Sequence, residues 1–204
     1  MTRLQSLEQR ISTLVLVAGG LMVVHTGVHV LIAYTNTNYP LHHEMPFGFL
    51  GHLVALVALL GLYPRLVTRS PKLTRVGAGV VVLAMVGLSA VGTMTLAESL
   101  GVTPPAFLRP VGLLFILGVI LGYLAFGVAG LRTDVVTRTT ALAILTPVIV
   151  MIYNMAVALT TGGTREGQII VAGGFALTHL AIGAALRSEE FPTGDAEPAA
   201  SPAA

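Results

Sequence analysis

The chain has no cysteine, no tryptophan and a single lysine among its 204 residues, and only 10% of its side chains are charged. Each scarcity excludes something. Without cysteine there is no disulfide, no thiolate metal ligand and no thiol nucleophile. Without tryptophan, any aromatic belt at a membrane interface must rest on tyrosine and phenylalanine. The one lysine, Lys72, lies in a polar break, so no apolar run carries an amine for a retinal-type Schiff base. A soluble domain is typically about 25% charged, and a water-facing surface cannot be built from far fewer charges. With 54% hydrophobic residues and a mean hydropathy of +0.86, the solvent for most of this chain is lipid. P-loop, GxGxxG, GxSxG and HExxH motifs are absent, as is any nucleic-acid-binding signature. The polar stretches are too short for a nucleotide domain.

What is present is six apolar runs, at about 11–34, 47–67, 76–97, 110–131, 139–160 and 168–186. Crossing a bilayer takes roughly 20 apolar residues, and each run supplies them. The first exceeds the roughly 7–15 residues of a signal-peptide core, and no small-residue cleavage site follows it. The pattern predicts an all-α, polytopic membrane protein: a six-transmembrane-helix bundle over 1–187, then an acidic, Ala/Pro-rich tail over 188–204 that cannot bury apolar surface and is expected to be disordered. Nine basic residues fall on one side of the predicted bundle (Arg3, Arg10, Arg65, Arg69, Lys72, Arg75, Arg132, Arg138, Arg187) and two on the other (Arg109, Arg165). The excess of basic residues marks the cytoplasmic side, which places both termini there. The preference for arginine over lysine points to a GC-rich prokaryotic genome and so to a multi-pass protein of the plasma membrane.

Pro46-Phe-Gly-Phe-Leu and Pro110-Val-Gly-Leu-Leu open the second and fourth runs, and the even-numbered runs share basic exits. Three helical hairpins repeated from one unit would give this pattern; so would any set of Pro-started, Arg-ended spans.

Five of the six histidines fall between His25 and His52. His25 and His29 are four apart in an apolar run and share one helix face. His42, His43 and Glu44 occupy the polar break that follows, and His52 lies just inside the second run. Ionisable groups within a span are costly and are functional candidates by default. Counting a rise of about 1.5 Å per residue puts His29 and His52 at equal depth on neighbouring helices, His25 one turn deeper and His179 near the level of His25. Glu98 ends the third run on the same side.

Three readings follow. In the first, His25, His29 and His52, with Glu98 or Glu44 as a fourth group, bind a transition metal, or His29–His52 or His25–His179 clamp a b-type haem, with electron transfer as the use. Loss of His29 or His52 would then abolish binding, and loss of His42 or His43 would matter far less. In the second, the chain is a small permease or a subunit of one, with His and Glu along a proton or ion path beside Thr26, Thr93, Thr95 and Asn154. In the third, the histidines are interhelical hydrogen-bonding groups, the reading that suits the isolated His179. The expected partners are the lipid bilayer and, for a permease component, further membrane subunits; nucleic acid is not among them.

Overall fold

The structure is a computed structural model that describes residues 10–35, 45–161 and 164–190. Among these residues all regular structure is helical: α1 (Ile11–Thr35), α2 (Met45–Gly61), α3 (Tyr63–Val67), α4 (Pro71–Ser99), α5 (Leu108–Leu131), α6 (Arg138–Thr161) and α7 (Arg165–Glu190). α2 and α3 belong to one segment, Pro46–Val67, so six segments are long and apolar enough to cross a membrane. The expected sites at His42, His43 and Glu44, and the tail beyond Glu190, lie outside the described residues.

The local breaks have identifiable causes. Pro64 has no N–H to offer one turn back, so the helix tightens at Leu62, whose N–H bonds to the Leu59 carbonyl (3.1 Å), and restarts as α3. α4 stops where Gly101 takes φ = 71°. There the Val102 N–H donates to the Ala97 carbonyl (2.9 Å) and the Gly101 N–H to that of Glu98 (3.0 Å), a Schellman-type end. Pro147, by contrast, sits inside a continuous α6. The carbonyl its ring leaves unpaired, that of Ala143, accepts the Thr146 hydroxyl at 2.6 Å. Elsewhere Thr26, Ser89, Thr93 and Thr95 donate to carbonyls one turn back, at 2.8–3.1 Å. Such bonds let polar side chains sit in apolar helices, where no water is at hand to satisfy them.

The helices form a closed ring in which neighbours run antiparallel. His25 and Met22 of α1 lie against Gly48 and Gly51 of α2, and Phe49 of α2 against Gly92 of α4. Ala84 and Val81 of α4 meet Gly118 and Gly122 of α5, while Val157 and Val150 of α6 meet Gly167 and Gly174 of α7. Leu16 and Leu180 then join α1 to α7 across Gly183 and Gly19. Small residues at these crossings bring backbones close, which is how helices associate where lipid offers no hydrophobic drive. The α4–α5 contact is the most extensive and the α2–α4 contact the thinnest in the ring. Leu56, Phe126, Ile144 and Met151 are buried at the centre, while Leu31, Leu113, Ile149 and Leu177 are exposed on the outside. An apolar exterior of this kind suits hydrocarbon rather than water.

Candidate functional site

His25, His29, His52 and Glu98 line one cavity of about 400 Å³, with Thr95, Asn154 and Gln168 completing its polar wall. The i, i+4 spacing on α1 brings His25 and His29 together: their Nε2 atoms are 3.3 Å apart and their rings meet edge to face at 4.5 Å between centroids. At that distance one ring donates its N–H to the other. Glu98, in the last turn of α4, is exposed at the cavity mouth.

His52 is held differently. Its Nδ1 lies 2.8 Å from the Gly48 carbonyl, which can only accept, so Nδ1 carries the proton and Nε2 is left as a lone pair. That Nε2 is buried without a hydrogen-bond partner, alone in this among the described residues. The ring is gripped edge to face by Phe115 (5.1 Å) and Phe175 (4.8 Å). Neither phenylalanine was singled out by the sequence reading, because an apolar residue in an apolar span carries no local signal.

The depths differ from those counted along the chain. With Met22 on Gly51 and His25 on Gly48, the antiparallel register sets His52 level with about Leu21. His52 is thus roughly one turn inward of His25 and two turns inward of His29. The equal depth expected of His29 and His52 is therefore corrected. Side-chain packing sets the register, and α1 runs on to Thr35, past the start of α2.

His179 lies outside this cavity. Its Nδ1 donates to the Phe175 carbonyl (2.7 Å), and its Nε2 accepts the Tyr123 hydroxyl (2.9 Å). Both side chains are buried, and the space beside them is an apolar pocket of about 10 Å³. The Phe175 ring touches both His52 and His179 and stands between the two environments. A second, larger cavity of about 690 Å³ opens between α2 and α4 and shares His25, His52, Thr95 and Phe115 with the first.

Among the described residues, no three of His, Cys, Asp and Glu are grouped closely enough to hold a metal ion by themselves. The converging pair is His25 and His29. Comparison with protein-family models, with curated proteins and with solved structures gives no match. Function must therefore be argued from the site itself.

Proposed function

We propose that this chain is a multi-pass protein of a prokaryotic plasma membrane whose His-lined cavity binds a transition-metal ion through His25 and His29. The observation that carries the reading is the 3.3 Å separation of their Nε2 atoms on a shared cavity wall. An ion about 2.1 Å from both nitrogens, the ordinary imidazole distance, would subtend an angle of about 104°, near the tetrahedral value of about 109°. Glu98 at the cavity mouth supplies a carboxylate that can swing in, and the remaining positions stay open to exchangeable ligands. A redox-active ion held there would serve electron transfer.

A b-type haem is the weaker form of this reading. His29 and His52 are offset by about two turns, and a clamp through His179 would have to displace the Tyr123 hydroxyl from its Nε2. A proton or ion path, the permease reading, is supported by the succession His29, His25, His52, His179 down the bundle. It is interrupted at Phe175, beside a pocket large enough for about one water at most. On the nine-to-two basic bias the cavity opens on the non-cytoplasmic side, with both termini inside. The three hairpins α1–α2, α4–α5 and α6–α7 are read as copies of one unit, of which the first carries His25, His29 and His52 and the third only His179.

Elemental analysis and visible absorption of the purified protein test this. About one bound ion per chain is expected. His25→Ala and His29→Ala should each lower affinity by more than the roughly 10–100-fold typical of losing a group that merely orients a ligand. Protons compete with metal for imidazole, so occupancy should fall as pH is lowered. Full occupancy in both variants, or none in the wild type, would overturn the reading, and a Soret band would restore haem.

A further inference from the structure

The wall across from the histidine pair narrows which ion the cavity takes. The Cβ position of Gly173 on α7 lies 3.7 Å from Thr26 of α1, and that of Gly174 lies 3.1 Å from Val150 of α6. α7 runs antiparallel to both neighbours, so Met151 is level with about Gly173 and therefore with about Thr26. Asn154, three residues further out, is level with about His29. The His25–His29 pair on α1 thus stands across the cavity from Met151 and Asn154 on α6, and all four residues line it. The Asn154 amide nitrogen lies 3.8 Å from Met151 Sδ, which sets the sulfur beside a cavity-lining side chain. Met22, about a turn inward of His25 on the same helix face, adds a second thioether to the lining.

Charge and geometry then select among ions. Among the described residues Glu98 is the only carboxylate lining the cavity, and it is exposed at the mouth. Magnesium, calcium and manganese want several hard oxygen ligands, carboxylates foremost, and find one. The Born cost of taking an ion out of water grows with the square of its charge, so a divalent ion costs about four times what a monovalent ion of like size costs. One carboxylate balances a monovalent ion and leaves a divalent one in excess. Two nitrogens 3.3 Å apart cannot hold an ion in line, which at about 2.1 Å each would need about 4.2 Å, so a third donor is required. Thioethers are soft donors that select Cu(I), and the unbranched methionine chain can turn its sulfur to meet an ion. We propose that the cavity takes a soft monovalent cation, Cu(I), held by His25 Nε2, His29 Nε2 and Met151 Sδ. This deepens the metal reading and rests on it.

The test titrates the full chain in detergent micelles and chloride-free buffer. The probes are Ag(I), a soft monovalent ion that is redox-inert there, and Zn(II), a divalent ion that imidazole also binds. Ag(I) should bind more tightly than Zn(II) by about tenfold or more, and Cu(I) kept reduced by ascorbate should compete with it. Met151→Leu keeps the volume and removes the sulfur. It should weaken Ag(I) by more than about tenfold and leave Zn(II) within about twofold, retained Zn(II) binding also reporting that the variant is folded. Zn(II) binding as tight as Ag(I) in the wild type, and lost in His25→Ala and His29→Ala, would overturn the soft-ion proposal while the metal reading stands. This comparison rests on the wild type and needs no Met151 variant to fold. Neither ion binding to the wild type, or both binding undiminished in the two histidine variants, would overturn the metal reading and this proposal with it. An Ag(I) preference unchanged in Met151→Leu would overturn Met151 as a ligand.

Discussion

Replacing Tyr123 with phenylalanine removes one oxygen from the middle of the bundle and asks what His179 is for. Tyr123 is 4% exposed and His179 1%, and their hydrogen bond, 2.9 Å long, joins α5 to α7. Without the hydroxyl, His179 Nε2 becomes a buried acceptor with no donor, because its Nδ1 proton remains on the Phe175 carbonyl. A buried polar group left unsatisfied costs about 1–3 kcal/mol. Interhelical hydrogen bonds measured inside membranes average about 0.6 kcal/mol and reach about 1.7. The apolar pocket beside the pair is at the limit of what one water needs, so solvent offers little rescue. A loss of about 1–2 kcal/mol is therefore expected for Tyr123→Phe. The assay is reversible unfolding in mixed detergent micelles, run as a double-mutant cycle with His179→Leu. Most of the loss should disappear in the His179→Leu background, because the orphaned acceptor is then gone. If the proposed metal site is correct, its occupancy at His25 and His29 should be unaffected, since Tyr123 lies outside their cavity. A Tyr123→Phe variant as stable as the wild type, or a loss that persists undiminished without His179, would refute the reasoning.

Two further outcomes are expected. A Cβ at Gly118 would lie 2.5 Å from the Ala84 Cβ and 2.8 Å from its backbone, whereas one at Gly20 would meet nothing within 4 Å. Gly118→Ala should therefore cost about 1–3 kcal/mol by prising α4 from α5. Gly20→Ala should be neutral or stabilising by up to about 1 kcal/mol, from helix propensity alone; the same unfolding assay ranks them. Because the chain has no cysteine of its own, single cysteines report topology cleanly. Thr103→Cys should react with an impermeant maleimide on intact cells and Asp134→Cys should not, and the opposite pattern would invert the orientation.

The six spans were legible because lipid demands long apolar runs and little else satisfies that demand. The ends were less so. The third span was expected to begin near Val76, after the basic cluster, but α4 begins at Pro71, because a helix need not stop where the charges begin. The break before α3 was written in Pro64, yet its effect depends on which carbonyl the ring displaces. Within the site, the His25–His29 pair could be read directly, because four-residue spacing on a helix is a contact. The height of His52 could not, because the register between antiparallel helices is set by which side chain meets which glycine. Tyr123 and His179 are far apart in sequence, and nothing local marks either as the other's partner. Glu98, in the last turn of α4, shares a cavity lining with His25, His29 and His52.

The ring that closes through α1 and α7 has a consequence for how the protein is made. A chain inserted helix by helix completes α4–α5, its tightest hairpin, while α7 is still unsynthesised. Until then α1 has only α2 beside it, and the face bearing Gly19 and Leu16 looks out into lipid. The His25–His29 cavity, walled on one side by Phe175, Ala172 and Val171 of α7, does not exist during that interval. The site is therefore the last part of the molecule to form, and a stalled or truncated chain would be a membrane-embedded hairpin series without it.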